Sequence, residues 1–406
     1  MTKTVDVVIG GGGMVGLALG IALAKGGLEV VVADPVSEAD ALGAGFDGRV
    51  SALAFASVRM FKALGIWETL AEHAQPIDDI LVTDAKLGAA PSPFSLHFDH
   101  RELGAPLGFI AENRHIRQAL FAASRTAPNL KLVAQALVAL QADASGVEAT
   151  FANGSGVRAR LAVAADGRDS PIRTSMGIGV VGWSYPQSGI VATVHHARPH
   201  KAVAYEHFLP SGPFAILPLT GNRSSLVWTE RANLAPAMMA LAKPDFDAEI
   251  ARRFGDHLGK TVSEDLRWSY PLRFHLARSY VKERFALAGD AAHGIHPIAG
   301  QGLNLGLKDA AALADVVLDA AALGLDIGGI GVLSRYERWR RFDSLTMAMA
   351  MDGLNRLFSN DIAPLRFARD LGMGIVDRLG PMRRFFMRHA GGDVGRLPRL
   401  MRSETA

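Results

Sequence analysis

The first 34 residues alternate between apolar runs and glycine. Apolar and β-branched residues fill positions 4–9, the length and composition of a strand buried on both faces. Four glycines follow at 10–13, and then a helix-forming stretch over 17–25 that ends at a glycine pair suited to a helix C-terminus. A second apolar run over 28–33 stops at Asp34. This order predicts a βαβ unit of about 30 residues.

Further along the chain, the pattern changes twice. Helical periodicity or strand-like runs give the following predictions: helices over 51–64, 113–124, 302–322, 331–351 and 362–389, and strands over 130–140, 146–151, 157–164 and 285–288. Between 182 and 230, aromatic and β-branched runs are separated by Gly-Pro and Gly-Asn turns, which is typical of an antiparallel sheet.

These patterns predict an α/β fold, with a Rossmann-like domain, an inserted, mostly antiparallel β-sheet domain and C-terminal helices. The predicted first domain is discontinuous and comprises 1–79, 102–178 and 275–345. The second comprises 80–101 and 179–274, and a helical region covers 346–406. A chain of 406 residues exceeds what one hydrophobic core usually sustains, which agrees with two domains.

Composition narrows the class of protein. Hydrophobic residues make up 49% and charged residues 20%, which excludes wholesale disorder. The chain has no cysteine, so disulfides, thiolate zinc sites, iron-sulfur clusters and thiol nucleophiles are all excluded. A reducing cytoplasm fits this composition. The 43 glycines show no collagen period, and we expect them in tight turns.

The C-terminal segment is basic. Residues 364–406 contain nine Arg against three Asp and one Glu, a net charge of +5 within a chain of net charge +3. Such a tail suggests an anionic partner, either phospholipid headgroups or an acidic protein surface. Nucleic acid is not expected, because no recognition motif accompanies the charge. A solvated helix face and a dimer contact remain alternative interpretations.

An uncharged stretch near the N-terminus has the length and lack of charge of a membrane-spanning segment or a signal peptide. Residues 7–24 carry no charge and follow Lys3. Six of these 18 residues are glycine, which weakens a helix, and Asp6 interrupts the usual order of a signal peptide. We predict neither a targeting segment nor a membrane span, and a cytoplasmic location that allows peripheral contact with the inner membrane.

The glycine turn matches a dinucleotide-binding pattern, Gly11-x-Gly13-x-x-Gly16. The first glycine permits the tight turn, the second lets the backbone approach a pyrophosphate, and the third lets helix and strand pack closely. Asp34 follows at the end of the second strand, where a carboxylate accepts hydrogen bonds from an adenosine ribose. Its charge disfavours a 2′-phosphate and therefore NADP in this pocket. NAD and FAD both remain open.

Other chemistries lack support. His195, His196, His200, His293 and His296 show no helix-borne metal-binding spacing, and we predict no metal. There is no Gly-x-Ser-x-Gly elbow and no phosphate-binding Gly-x-x-x-x-Gly-Lys-Ser/Thr loop, so a serine hydrolase and a nucleotide triphosphatase are disfavoured.

Three segments together resemble a known family. They are 164–173 (AADGRDSPIR), 284–293 (RFALAGDAAH) and 297–304 (PIAGQGLN). With the opening glycines, they are similar to the FAD-dependent aromatic hydroxylases, the class A flavin monooxygenases. Additional matches at 47–53, 112–117, 185–187, 212–218 and 334–338 resemble the ubiquinone-biosynthesis hydroxylase branch.

The resemblance implies roles for particular residues. FAD would be bound by Gly11, Gly13, Met14, Gly16, Asp34, Arg49, Arg117, Asp166, Gly289, Asp290, Gly302, Leu303 and Asn304. A loop containing Pro297, Gly300, Gln301 and Gly302 would face the flavin ring, with no residue assigned as acid or base. Taken alone, Asp290 could equally cap a helix, Arg117 could be a surface charge, and Asp166 with Gly167 could form only a turn.

The resemblance also implies a reaction. FAD would be reduced by transiently bound NAD(P)H and would react with O2 to a flavin C4a-hydroperoxide, which hydroxylates an aromatic, prenylated phenol in ubiquinone biosynthesis. The inserted sheet would form the substrate wall, with aromatic candidates Trp183, Tyr185, Phe208, Phe214, Trp228, Tyr270 and Phe274 beside Pro218. Two alternatives stay open: a monooxygenase of a soluble phenol or polyketide, and a flavin-binding assembly subunit of a quinone-synthesis complex.

Overall fold

The computed structural model describes residues 4–43, 45, 47–85, 87, 95–360, 369, 374, 376–393 and 395–402. The described strands are β1 (Thr4–Gly10), β2 (Val30–Ala33), β3 (Val50–Leu53), β4 (Ala74–Ile77), β5 (Asp79–Asp84), β6 (Ser95–Asp99), β7 (Gly108–Glu112), β8 (Leu130–Val133), β9 (Leu137–Ala142), β10 (Val147–Phe151), β11 (Gly156–Ala164), β12 (Val180–His196), β13 (Val203–Leu209), β14 (Gly212–Leu219), β15 (Arg223–Arg231), β16 (Thr261–Ala277), β17 (Val281–Lys282), β18 (Phe285–Leu287) and β19 (His293–Gly294).

Helices cover the sheets. The described α-helices are α1 (Met14–Lys25), α2 (Glu38–Gly43), α3 (Phe55–Ala63), α4 (Trp67–Leu70), α5 (Asn113–Arg125), α6 (Pro171–Ser175), α7 (Ala235–Ala240), α8 (Lys243–Phe254), α9 (Gln301–Ala322), α10 (Ile330–Phe358) and α11 (Gly380–Ala390). Single 3₁₀ turns lie at Ala71–His73, His100–Glu102, Gly289–Ala291, Ile298–Gly300 and Arg399–Met401. None of the described helices is both long enough and apolar enough to cross a bilayer.

The first sheet has the order β17-β18-β11-β1-β2-β8, with β10 and β9 branching from β11. Strands β18, β11, β1, β2 and β8 run parallel, as the buried βαβ pattern predicts. Helices α1 and α9 pack on this sheet, and their apolar residues lie in one large core with those of β1. The prediction of an α/β fold is confirmed.

The second sheet has the order β19-β16-β12-β15-β14-β13-β5-β6 and is mostly antiparallel. Side chains alternate between its two faces, as they do in any strand. On one face, Ile190, Phe214 and Trp228 pack against Phe246 and related residues of α8 in a separate core. We call this the outer face. The opposite, inner face turns toward a three-stranded sheet of order β3-β7-β4.

Several element limits differ from the sequence-based expectation. The predicted helix over 51–64 is wrong in its first part, because residues 50–53 pair with β7 as strand β3, and the helix begins only at Phe55. The single strand expected over 130–140 is two, β8 and β9. Helix α10 extends seven residues past the expected limit at 351. Much of the helix predicted over 362–389 lies outside the described residues, which show α11 in its last part.

Candidate active site

The carboxyl ends of three parallel strands meet at one edge of the first sheet. The backbone N–H of Ala165 donates to Gly10 O at 2.7 Å, and that of Ala288 donates to Ala164 O at 2.9 Å. The glycine turn after β1, the Asp166 turn after β11 and the Asp290 turn after β18 therefore lie side by side. Ligands of open α/β sheets bind at such an edge.

The glycine turn is shaped for an anion. Gly11 has φ +107°, and a Cβ there would lie 2.3 Å from Ala165 O. A Cβ at Gly16 would lie 1.9 Å from Gly11 O, so both positions require glycine. A Cβ at Gly13, which precedes α1, would meet nothing within 4 Å. The chain thus leaves open space at the positive end of α1, next to partly exposed Met14, where a pyrophosphate fits.

Asp34 closes the βαβ unit at the same edge. Its Oδ2 accepts a hydrogen bond from Gly12 N at 2.6 Å, and its Oδ1 accepts one from Val36 N at 2.8 Å. These bonds fix the carboxylate beside the glycine turn. Because each carboxylate oxygen has more than one lone pair, capacity remains for ribose hydroxyls.

The segment following β11 serves structure as well as the site. Asp166 accepts hydrogen bonds from Ser170 Oγ at 2.5 Å and from Ile172 N at 3.2 Å, which orders the start of α6. Burial raises the pKa of Asp166, and these hydrogen bonds oppose the shift. The buried Arg173 donates to Arg168 O and Ala291 O, both at 2.9 Å. Arg173 therefore ties the second turn to the third.

The turn after β18 presents Asp290 to solvent. The Asp290 side chain is exposed and lies within the 3₁₀ turn Gly289–Ala291, which has no side-chain cap. Gly289 has φ +62°, and its N–H donates to Asp309 Oδ2 at 3.0 Å. His275 Nε2 pairs with Asp290 O at 2.8 Å. The backbone of this turn is thus held from two sides while its carboxylate stays available.

Asp309 is a site residue that the sequence analysis missed. It is fully buried in α9 and contacts His293 Nε2 at 2.6 Å and Arg340 Nε at 2.8 Å. Burial alone would raise the pKa of Asp309, but the charges of His293 and Arg340 outweigh it and lower the pKa. Asp309 lies seven residues after Gly302 in the predicted helix over 302–322, and a carboxylate so close to the proposed site was the available signal.

The first turns of α9 pack close to the start of α1 and to the turn after β18. A Cβ at Gly306 would lie 2.7 Å from Val15 and 3.2 Å from the Cα of Gly289. Gly300 has φ +60° and precedes α9. A Cβ at Gly302 would meet nothing within 4 Å, so the first turn of α9 is open to a ligand. Pro297 and Leu303 are partly exposed there, whereas Gln301 is buried.

Asn304 connects this loop to β3. Its Nδ2 donates to Ala52 O at 2.8 Å and to Gly300 O at 3.3 Å. Its Oδ1 accepts hydrogen bonds from Ala54 N and Ser57 Oγ at 3.0 and 2.8 Å. The side chain is therefore used within the protein, and its contribution to the site is to position the loop.

Arg49 and Arg117 meet at a shared carboxylate. Arg49 Nη2 lies 2.6 Å and Arg117 Nη2 lies 3.4 Å from Asp47 Oδ2. Burial works against ionisation of Asp47, but the hydrogen bonds and charge of Arg49, with that of Arg117, lower its pKa. Arg117 is mostly buried in this arrangement, and its Nε makes no hydrogen bond to the described residues.

The predicted aromatic wall divides between two faces. Phe214 and Trp228 lie in the outer core, and alternation places Pro218 on that face too. Phe208 lies on the inner face, where it stacks on Phe358 of α10 at 4.1 Å. Trp268, which was not among the candidates, also lies there, because a Cβ at Gly48 would sit 1.9 Å from its ring. Trp183 is 40% exposed beside Phe274.

Comparison with known proteins identifies relatives over the full length. The family model described as an FAD binding domain matches residues 4–337. A ubiquinone hydroxylase from Rhodospirillum rubrum is 50% identical over 404 residues, covering 98% of this chain and 93% of that protein. A 3-demethoxyubiquinol 3-hydroxylase from Escherichia coli is 36% identical over 391 residues, covering 95% of this chain and 98% of that protein.

Solved structures share the fold. The crystal structure of a p-nitrophenol 4-monooxygenase from Pseudomonas putida superimposes with a TM-score of 0.78, covering 97% of this chain and 100% of that one. At 20% sequence identity, this likeness supports the architecture alone.

Proposed function

The chain belongs to the FAD-binding-domain family, and on that premise we propose that it is an FAD-dependent monooxygenase that hydroxylates a prenylated phenol ring in ubiquinone biosynthesis. The observation that carries the proposal is the meeting of three distant turns at one sheet edge, with open space at Gly13 and Gly302. A dinucleotide fits where a glycine leaves room at a helix N-terminus.

Different residues of this edge would bind different parts of FAD. The start of α1 would take the pyrophosphate, Asp34 the adenosine ribose, and the free carboxylate of Asp290 the ribitol hydroxyls. The positive end of α9 would stabilise negative charge on the reduced flavin ring. Bound FAD supplies the redox chemistry, in which NAD(P)H is the reductant and O2 the source of the transferred oxygen atom.

The substrate would bind between this edge and the inner face of the second sheet. The two relatives reported above are named as a ubiquinone hydroxylase and a 3-demethoxyubiquinol 3-hydroxylase. Apolar residues of the inner face and of β3, including Ala204, Leu217 and Ala52, form a common cluster that suits a prenylated ring.

The test uses purified full-length protein. We expect a yellow preparation with one FAD per chain, and hydroxylation of 2-prenylphenol with NAD(P)H in which labelled dioxygen delivers one labelled atom to the ring. A colourless protein that takes up no FAD contradicts the proposal. Equal turnover of small phenols that lack a prenyl group would instead favour the soluble-phenol alternative.

We also propose that the C-terminal helices contact a bilayer surface. Helix α11 buries Met387 and exposes Met382, Phe385 and Phe386, while Arg384 and Arg388 are exposed on the same helix. Apolar side chains flanked by arginine suit an anionic lipid interface. Part of the predicted basic charge has another use, since Arg369 pairs with Asp84 and Arg399 with Asp315.

Vesicle flotation tests this contact. Full-length protein is expected to float with vesicles containing anionic phospholipid and to remain behind with neutral vesicles, because the attraction is electrostatic. The double variant Phe385→Ser/Phe386→Ser should lose flotation while retaining FAD. The matched variant Val138→Ser removes an apolar side chain that is 53% exposed on β9 and should float normally. Equal flotation of all three proteins contradicts the contact.

A further inference from the structure

The strand β13 carries an unusual residue on the inner face of the second sheet. Ala204, Glu206 and Phe208 alternate with residues of the outer face. Ala204 packs in the inner cluster with Ala52 of β3, and Phe208 packs on Phe358 of α10. Glu206 lies between them on the strand, so its side chain is on the inner face, the side of the sheet that contacts β3 and α10.

Two partly exposed side chains indicate open space along this face, which we call the chamber. Glu206 is partly exposed although Ala204, Phe208 and its cross-strand neighbour Ala215 are buried. Val227, the next residue along the same cross-strand row, is also partly exposed, whereas the outer-face residues Phe214 and Trp228 are 0% and 1% exposed. The open space therefore lies on the inner side of the sheet.

The chamber adjoins the loop assigned to the flavin. A Cβ at Gly300 would lie 3.0 Å from the Cβ of Ala52, which belongs to the same cluster as Ala204. The residue after Gly300 begins α9, whose first turn is open at Gly302. Glu206 and the loop assigned to the flavin are thus connected through one apolar cluster, in which Ala52 contacts the loop and Ala204 precedes Glu206 on β13.

Glu206 has no partner among the described residues. No hydrogen bond or ion pair to its carboxylate occurs in that part of the chain, and burial raises its pKa to about 7. Three hydroxyl groups of the same face, those of Thr193, Ser225 and Thr229, are also buried without a partner among the described residues. Buried polar groups are normally hydrogen-bonded, so unpaired ones around a chamber indicate a polar ligand.

We propose that Glu206 accepts the proton of the substrate's ring hydroxyl, an assignment that rests on the proposed phenol hydroxylation. The step is a simple proton transfer, in which the phenol O–H bond breaks, the Glu206 carboxylate becomes a carboxylic acid, and the phenol becomes a phenolate. The extra electron density on the ring raises its reactivity toward an electrophilic oxygen atom. No described sequence motif includes Glu206, and its surroundings alone single it out.

Two carboxylates on elements next to Glu206 are paired with arginine. Asp84, at the end of the adjacent β5, pairs with Arg369 at 2.7 Å, and Asp352 of α10 pairs with Arg356 at 2.8 Å. His207 follows Glu206 on the strand but belongs to the outer face, where Thr83 Oγ1 lies 2.7 Å from its Nδ1. Desolvation is therefore the cause of the raised pKa of Glu206.

The sign of the pH dependence follows from this pKa. Glu206 accepts a proton only when ionised, so kcat/KM for 2-prenylphenol in the wild-type holoenzyme should rise with pH through about 7. Phenols ionise unaided near pH 10. In Glu206→Gln the rising limb should move toward that value, and at neutral pH the rate should fall roughly 100-fold or more, as for the loss of a general base. Glu206→Asp should restore part of the rate.

Two measurements separate this role from a structural one. First, the hydroxylation rate is measured per bound FAD with 2-prenyl-4-nitrophenol, at a pH where this acidic probe is already ionised. With this probe, Glu206→Gln should be as fast as the wild-type protein. Second, the preference of the holoenzyme for binding 2-prenylphenol over prenylbenzene, measured from the flavin absorbance, should fall about tenfold in Glu206→Leu, since a hydrogen bond to a charged group is lost.

Tyr205→Phe is the matched control. Tyr205 precedes Glu206 on β13 and packs with the outer core, 4.3 Å from the His257 ring. Loss of the Tyr205 hydroxyl group should change neither the pH profile of kcat/KM nor the preference for 2-prenylphenol over prenylbenzene. Glu206 is not the proton acceptor if Glu206→Gln keeps the wild-type pH profile. The same conclusion holds if its hydroxylation rate falls by the same factor with both phenols. If the wild-type protein binds no FAD or hydroxylates no prenylated phenol, the proposed function itself is wrong.

Discussion

Replacing Gly13 with Asp is expected to leave the protein folded but colourless. A Cβ at position 13 meets nothing within 4 Å, and the backbone there has φ −70°, which any residue adopts. Asp is moreover a good N-cap for α1. Its carboxylate would, however, face the pyrophosphate. Two unit charges 4 Å apart near a protein surface repel by about 4 kcal/mol, which corresponds to a roughly thousandfold loss of FAD affinity.

The neutral variant Gly13→Asn separates charge from size. It has nearly the shape of Gly13→Asp and should retain far more of the FAD affinity, as measured by titrating apoprotein with FAD and following flavin fluorescence. The melting temperature of Gly13→Asp apoprotein should equal or exceed that of wild-type apoprotein. Unchanged FAD affinity in Gly13→Asp would mean that the pyrophosphate does not lie at the start of α1.

Asp309→Asn is expected to destabilise the protein severely. The substitution leaves Arg340, which is 0% exposed, without its buried carboxylate, and it weakens the hold on Gly289 N and His293. Breaking a buried ion pair on one side typically costs about 3–5 kcal/mol, a large part of the stability of most domains. Urea unfolding, monitored by circular dichroism, measures the loss, and FAD affinity should fall with it because the Asp290 turn is no longer fixed.

Asp343→Asn provides the comparison. Asp343 also pairs with Arg340, at 2.7 Å, but it is 30% exposed. Arg340 keeps its buried partner Asp309 in this variant, so the free energy of unfolding should fall far less, by about 1 kcal/mol. Because the pKa of Asp309 is lowered in the folded state, its contribution is present above pH ~4 and is lost as the pH falls below that value. Equal losses in the two variants would contradict the role given to Asp309.

Much of the cofactor edge could be predicted from local sequence. The spacing of Gly11, Gly13 and Gly16 after an apolar run specifies a strand, a tight turn and a helix, because each glycine meets a backbone constraint within a few residues. The same reasoning was wrong at 51–53, where pairing with β7 overrode a helical pattern. Long-range pairing of this kind leaves no local signal, which is why β3 was missed.

The aromatic residues of the second sheet could not be assigned to the substrate wall or to the core from the sequence. Alternation in β14 and β15 places Phe214 and Trp228 on one face together, but a period of two does not say which face meets α8 and which meets the chamber. Only the packing of α8 decided that these two aromatics are core residues. For the same reason, Glu206 is indistinguishable in sequence from any polar residue on a solvated face of a strand.

The sequence by itself determined the parallel βαβ unit and the glycine turn, since these depend on neighbours close in the chain. The tertiary structure alone decided that Asp309 fixes the Asp290 turn, that Asn304 joins the loop before α9 to β3, and that Glu206 is partly exposed on the inner face. Each of these depends on contacts between segments far apart in the chain, whose free energy arises from burial and charge pairing that no local pattern records.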